Sequence, residues 1–260
     1  MKSQLIEKIR NAVIGDQQSI TTSFGEKPLV YADYTASGRA LDFIEDYLQR
    51  NVLPYYANTH TEASYTGAQT TALREQSRQI IRQAVMGSAE DKVIFCGSGA
   101  TAAINKLIDI LNLRLPADLA KRHRLLDNIP EQHRPLVLIG PYEHHSNELP
   151  WRESIADVEV IPLNREGQLD VDVLQQRLEE NGARELIIGS FSAASNVTGI
   201  RTDVDSISAL LHEHGALAFW DYAAAAPYVR INMNGASEPG SSIRGDCSKD
   251  AVFISPHKFI

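Results

Sequence analysis

Short apolar runs alternate with segments of helical periodicity from about residue 93 to the end of the sequence. The runs are rich in β-branched and aromatic residues and lie at 93–95, 136–140, 158–163, 186–192, 216–222 and 251–255. Between them, apolar residues recur at helical spacing at about 100–112, 171–180 and 203–214. Strands that alternate with helices form a mostly parallel sheet covered on both faces. The sequence therefore predicts an α/β fold with a mostly parallel, mixed sheet sandwiched by helices.

The pattern before residue 93 is mainly helical. Apolar spacing predicts helices over 1–14, 40–52 and 68–86. A short apolar run predicts one strand over 28–32.

Two polar stretches interrupt the later alternation. Residues 113–135 are rich in charge and predict a surface excursion, whereas residues 232–250 are rich in Gly, Ser and Asp and predict a long loop. Strands of the same alternation resume after each stretch, so neither is a domain linker. We expect an N-terminal helical segment, 1–20, followed by one large domain, 21–260.

Composition and charge disfavour some classes of binding partner. The chain has 260 residues, a net charge of -8 and no block rich in Lys or Arg, which disfavours a nucleic-acid or membrane partner. Its two cysteines have no metal-binding spacing, so we expect no metal site and no disulfide framework. The N-terminus does not have the pattern of a signal peptide, and no apolar run is long enough to span a membrane. We therefore expect a cytoplasmic protein.

Polar residues follow or end five of the six apolar runs, where open parallel sheets bind their ligands. They are Gly97–Thr101, Glu143–Asn147, Ser195–Gly199, Asp221 and Ser255–Lys258.

Each of these groups leaves two interpretations open when it is taken alone. The turn Gly97–Thr101 either binds a phosphate, because glycines let N–H groups approach an anion, or is an ordinary capped turn. His144 and the turn residue Asn196 are each more typical of exposed positions. Lys258 is likewise more typical of a solvated surface. Asp221 favours a function, because burying an unpaired carboxylate at the end of an apolar strand is costly.

Together the five groups supply what pyridoxal 5'-phosphate (PLP) requires. The glycine loop is a phosphate cradle, and a histidine is a planar stacking group. The amide of Asn196 can donate to the ring hydroxyl, and a carboxylate can keep the pyridine nitrogen protonated. A lysine can form an imine with the cofactor aldehyde.

The sequence resembles the class V aminotransferase family of fold-type I PLP enzymes, especially the cysteine desulfurase and selenocysteine lyase branch. The resemblance covers nearly the whole chain and depends on the order of six motifs. These are YADYTASG (31–38), GSGATAAIN (97–105), EHHSN (143–147), SNVTG (195–199), WDYA (220–223) and SPHKF (255–259). It implies the large domain of a fold-type I enzyme.

The resemblance also implies a role for individual residues. Lys258 matches the Schiff-base lysine, and Asp221 matches the partner of the pyridine nitrogen. His144 matches the residue that stacks on the ring and relays protons, and Asn196 matches the donor to the ring hydroxyl. His60 becomes a candidate for substrate contact. The implied phosphate contacts are Gly99, Ala100, Thr101, Ser255 and His257.

Several positions depart from the family pattern. Ala224 stands where desulfurases usually carry Gln, and the opening motif DYTASG differs from the usual desulfurase run. Relatives continue after the lysine into a smaller C-terminal domain, which we expect to be absent because the sequence ends at Ile260. Neither cysteine occupies the place of the mobile desulfurase cysteine. We expect Cys96 to be a small buried residue. Cys247 lies in the polar loop, where it is either exposed or buried, and we assign it no role.

The resemblance implies cysteine desulfurase or selenocysteine lyase chemistry on a small amino acid, by a homodimer, with a sulfur-acceptor protein if the enzyme is a desulfurase. Transamination, epimerisation or kynureninase-like cleavage by the same cofactor are alternatives. A truncated, inactive large-domain fragment is a third hypothesis. A dinucleotide-binding protein is disfavoured, because the glycine loop does not have the GxGxxG spacing.

Overall fold

The structure is a computed structural model that describes residues 2–59, 61–235 and 245–259. The chain divides into two compact units. The first consists of Met1–Ile81 with Pro256–Ile260, and the second of Arg82–Ser255. The expected domain boundary between residues 20 and 21 stays a prediction.

The first unit combines helices with one β-hairpin. Its elements are α1 (Lys2–Ala12), β1 (Ser19–Thr22), β2 (Gly25–Pro28), α2 (Asp42–Tyr47) and most of α3 (Tyr65–Ala84). A π-helical turn at Leu48–Val52 and a 3-10 turn at Leu53–Tyr55 extend α2. The three predicted helices are confirmed. The predicted strand over 28–32 is wrong beyond Pro28, and Val30 is 82% exposed rather than buried in a sheet.

The second unit contains one five-stranded parallel sheet. Its strands are β3 (Leu136–Ile139), β4 (Asp157–Val160), β5 (Ile187–Ser192), β6 (Leu217–Asp221) and β7 (Ala251–Phe253). Their order across the sheet is β4-β3-β5-β6-β7, and each neighbouring pair is parallel. The α/β class with a parallel sheet is therefore confirmed.

Helices connect these strands and cover both faces. They are α4 (Gly99–Ile110), α5 (Ala117–His123), α6 (Leu149–Arg152), α7 (Val171–Glu180) and α8 (Val204–Glu213). The starts of α7 and α8 are capped by aspartates: Asp170 accepts from the N–H of Val173 at 3.1 Å, and Asp203 accepts from the N–H of Ser206 at 3.2 Å.

Alternate residues of each strand enter two separate cores. Leu138 and Trp220 pack with α7 and α8 on one face, whereas Ile139 and Phe219 pack with α4 and α6 on the other. All of β5 is buried, because it lies at the centre of the sheet between two helical layers. The predicted sandwich is confirmed.

Three other segments were predicted from the hydrophobic pattern, and the structure contradicts one of these predictions. The run 93–95 is not a strand, since Ile94 and Phe95 are each about half exposed, and three apolar residues alone do not specify a strand. The surface excursion 113–135 contains α5 and two 3-10 turns. Residues 236–244 of the predicted loop lie outside the described residues.

Candidate functional site

The N-terminus of α4 follows the glycine-rich turn. Gly99 has a φ of +64°, a conformation that favours glycine, and Ser98 precedes the helix without capping it through its side chain. The N–H of Ala100 donates to Oγ of Ser255 at 3.0 Å, and both residues are buried. This bond joins the start of α4 to the segment that follows β7.

A second group of hydrogen bonds joins α4 to the loop after β3. The hydroxyl oxygens of Thr101 and Ser146 are 2.6 Å apart, and Oγ of Ser146 is 2.9 Å from Nδ1 of His144. Nδ1 also accepts from the main-chain N–H of Ser146 at 3.2 Å. Since Nδ1 is an acceptor here, we assign the proton of the neutral imidazole to Nε2. The His144 ring is exposed and therefore accessible to a ligand.

Asp221 ends the apolar strand β6 with its carboxylate buried. The residue is 4% exposed, and its Oδ1 accepts from the N–H of Ala223 at 2.7 Å. It pairs in register with Ser192, the last residue of β5. Asp221 is therefore buried at the strand end, and its functional role stays a prediction.

Glu143 forms a buried polar cluster that the sequence did not bring to notice. One carboxylate oxygen accepts from the N–H of Ser192 at 2.8 Å. The other accepts from the Ser192 hydroxyl and from Nδ2 of Asn147, both at 2.7 Å. Burial is the largest cause that raises the pKa of Glu143, the charge of Asp221 adds to it, and the hydrogen bonds oppose both, so that the pKa is about 7. Polar residues such as Ser192 inside an otherwise apolar strand were the one signal of this cluster.

Asn196 lies in an exposed turn after β5. Oγ of Ser195 accepts from the N–H groups of Val197 and Thr198, each at 3.2 Å, and Gly199 has a φ of +74°. The geometry is that of a turn stabilised by a serine side chain. A role for Asn196 in binding stays a prediction.

The remaining candidates belong to the first unit or lie outside the described residues. His257 and Lys258 are in a 3-10 turn, Pro256–Lys258, and the carbonyl of His257 accepts from the N–H of Gly38 at 2.8 Å. Lys258 is partly buried. His60 lies outside the described residues.

The prediction that Cys96 is buried is wrong, whereas the exposure of Cys247, which the sequence left open, is low. Cys96 is partly exposed, because it follows a segment that is not a covered strand. Cys247 is buried at 3% exposure, and its thiol donates to the carbonyl of Gly235. No helix among the described residues has the length and apolarity that a membrane crossing requires.

In the second unit, the first turn of α4, which begins at Gly99, thus bonds to Ser255 through Ala100 and to the His144 loop through Thr101. The same unit places Asp221 beside the Glu143 cluster. All of these residues lie after the carboxyl ends of strands or at the start of α4. The parallel sheet with helices on both faces is the large-domain architecture of fold-type I PLP enzymes.

Comparison with known proteins agrees with this class. The family model described as "Aminotransferase class-V" matches residues 30–237. The chain therefore belongs to the class-V aminotransferase family, whose members use PLP.

Similar proteins come from several organisms. A probable cysteine desulfurase of Halalkalibacterium halodurans is 28% identical over 79% of this chain and 47% of its own length. One from Staphylococcus epidermidis is 28% identical over 96% of this chain and 54% of its own length. The chain thus spans about half the length of the relatives that it matches.

Solved structures share the fold. A NifS-like protein from Rickettsia africae has a TM-score of 0.67 at 18% identity, over 88% of this chain and 54% of that one. A cysteine desulfurase from Thermococcus onnurineus has a TM-score of 0.64 at 20% identity, over 87% of this chain and 50% of that one.

Proposed function

We propose that the chain is the PLP-binding domain of an enzyme with cysteine desulfurase-type or selenocysteine lyase-type chemistry. The observation that carries the proposal is the hydrogen-bonded group that joins the start of α4, Ser255 and the His144 loop. Membership of a family that uses PLP gives this group its interpretation.

The residues fit a phosphorylated pyridine ring. The start of α4 has N–H groups without partners inside the helix and no side-chain cap from Ser98, and such helix starts favour phosphate. The hydroxyl of Thr101 lies on the first turn of the same helix. We assign the phosphate to Gly99, Ala100, Thr101, Ser255 and His257.

The other end of the ring requires a carboxylate. The buried Asp221 would bind the protonated pyridine nitrogen, because a buried carboxylate is stabilised by a cation. Asn196 would donate to the ring hydroxyl. When it is bound, PLP supplies an electron sink for the carbanion of an amino-acid substrate.

His144 and Lys258 carry the proposed reactive groups. The His144 ring would stack on the cofactor, and the hydrogen bonds at Nδ1 hold it so that Nε2 is the site from which a proton moves. Lys258 would hold the cofactor covalently through its amine.

The partners are proposed on the same basis. The substrate is a small amino acid, and His60 is a candidate for its contact. A desulfurase would pass sulfur to an acceptor protein, act as a homodimer and work in the cytoplasm. The probable cysteine desulfurases among the relatives support this branch.

Absorption spectroscopy tests cofactor binding. Purified protein with saturating PLP is expected to gain a visible band that Lys258→Ala abolishes and that the exposed-lysine control Lys106→Ala retains. Absence of the band in wild-type protein would contradict the proposal.

Product analysis tests the reaction. The assay contains dithiothreitol, which supplies the two electrons that release the transferred sulfur as sulfide, and we expect sulfide and alanine from cysteine in equal amounts. Keto-acid formation without sulfide, or racemised substrate, would instead indicate transamination or epimerisation.

A further inference from the structure

The side chain of Glu143 bonds the loop that carries His144 to the centre of the sheet. The carboxylate of Glu143 turns back toward β5 and accepts from both the N–H and the hydroxyl of Ser192. It passes over Gly140, where an added Cβ would lie 2.5 Å from Oε1. The end of β3 therefore has to be glycine for this contact to form.

The contact continues into a buried network. Asn147 donates to the carbonyl of Ser190 at 3.1 Å and accepts from the hydroxyl of Ser190 at 2.7 Å. The indole N–H of Trp151 lies 3.3 Å from Oδ1 of Asn147. Ser190, Asn147 and Trp151 are all fully buried. Buried polar groups with every partner in place define one geometry, because each alternative leaves a group unpaired.

The same carboxyl group acts on the end of β6. Ser192 stands between Glu143 and Asp221, since it binds the first and pairs in register with the second. Asp221 is the charged side chain whose field acts on Glu143. The charge of Asp221 therefore disfavours the ionisation of Glu143.

We propose that Glu143 is a positioning residue of the cofactor site: it fixes the loop that carries His144 to β5 and sets the charge that Asp221 and a bound cofactor experience. This inference rests on the proposed function. It adds a residue that would act through His144 and Asp221 rather than by touching the cofactor.

Ser192 completes the arrangement. Its hydroxyl donates to Glu143 while the carboxyl group is ionised, and it can turn to accept when Glu143 is protonated. The network therefore keeps its partners in both charge states of Glu143.

The test separates geometry from charge. Glu143→Ala removes both, whereas Glu143→Gln keeps the size and the bond from the Ser192 N–H but removes the charge and the acceptor for Nδ2 of Asn147. Ser192→Ala removes one donor and provides a second probe should Glu143→Ala fail to fold. Glu148→Gln is the matched control. Glu148 is five residues further on, and its carboxylate pairs with Nε of Arg152 at a distance of 2.7 Å, outside this network.

Two quantities are measured on the 260-residue chain: the dissociation constant for PLP, and the pH midpoint of the bound cofactor's visible spectrum. Glu143→Ala is expected to weaken PLP binding by roughly tenfold, because the loop that carries His144 loses bonds to β5 and must be ordered when the cofactor binds. Glu143→Gln is expected to move the midpoint to lower pH, because a negative charge that favours the cationic form is lost. Glu148→Gln is expected to change neither.

The outcomes distinguish this inference from the proposed function. If wild-type protein binds PLP through Lys258, but the Glu143 variants match it in affinity and midpoint, the inference is overturned and the proposed function stands. If affinity falls while the midpoint of Glu143→Gln is unchanged, Glu143 is only structural and the electrostatic part is overturned. If wild-type protein does not bind PLP at all, the proposed function fails, and the inference fails with it.

Discussion

At the scale of single residues, two buried carboxyl groups lie where the parallel strands end. Asp221 ends β6, and Glu143 follows β3, with Ser192 of β5 between them. Glu143 accepts hydrogen bonds from Ser192 and Asn147, which lower its pKa. Burial outweighs these bonds, and the pKa of Glu143 is therefore raised to about 7. A group that titrates near neutral pH inside the protein makes stability depend on pH.

We expect Glu143→Gln to flatten the pH dependence of stability in cofactor-free protein. The folded pKa of Glu143, about 7, exceeds the ordinary value of 4.5, so the folded state binds the extra proton between these values. Its contribution to stability is therefore fully present below about pH 4.5 and is lost as the pH rises through 7. The loss is on the order of 3 kcal/mol. Urea unfolding of both proteins across this range measures it, and parallel curves for the two would contradict the assignment.

The sequence predicted some of these residues and not others, for a physical reason. Asp221 was identifiable because a carboxylate at the end of an apolar strand needs a compensating partner. Glu143 was not, because its main partner Ser192 is 49 residues away along the chain. Such a contact exists only after β3 and β5 have paired.

At the scale of elements, the start of α4 depends on a residue from the far end of the sheet. The N–H of Ala100 donates to the hydroxyl of Ser255, which follows β7. This bond fixes the glycine-rich turn relative to the end of β7.

Ser255→Ala is expected to lower the free energy of unfolding by about 1–3 kcal/mol, because the N–H of Ala100 is then buried without a partner. Chemical denaturation measures the change. Ser206→Ala, an exposed position on α8, serves as the control and should leave stability nearly unchanged. Equal effects of the two substitutions would show that the bond contributes nothing.

A second element, α8, is tied to the segment before β7 by His212. Its Nδ1 is 2.8 Å from the carbonyl of Asp246, and its Nε2 is 2.9 Å from the carboxylate of Asp250. Burial lowers the pKa of His212, but these hydrogen bonds more than offset the effect and raise it above the ordinary value. The contribution to stability is present below pH 6.5 and is lost as the pH rises through the raised pKa.

His212→Phe should therefore destabilise the protein more at acidic than at alkaline pH. Thermal unfolding at several pH values measures this difference. His214→Phe, two residues further along, is the control. A loss of stability that does not vary with pH would contradict the charged form of His212.

Helices and strands were both predictable where local signals were strong, and the five apolar runs from residue 136 onward overlap β3, β4, β5, β6 and β7. The segment 171–180 coincides with α7, because its apolar spacing and the capping Asp170 are local signals. The hairpin of β1 and β2 was missed, since its residues are largely exposed and polar. The run 93–95 resembled a strand only in composition.

At the scale of the whole molecule, the parallel sheet collects residues that are far apart in sequence onto one edge. The alternation of strands and helices was enough to predict that edge, because parallel strands end on the same side. The identity of the reaction was not predictable in the same way. The chain spans about half the length of its relatives, so its sequence alone does not separate a desulfurase from other PLP enzymes.

Chemical trapping tests directly whether Lys258 binds PLP. Protein saturated with PLP is reduced with borohydride, digested and mapped by mass spectrometry. We predict a single phosphopyridoxyl group on the peptide that contains Lys258. Modification of a different lysine, or a pattern of modification unchanged in Lys258→Ala, would contradict the assignment.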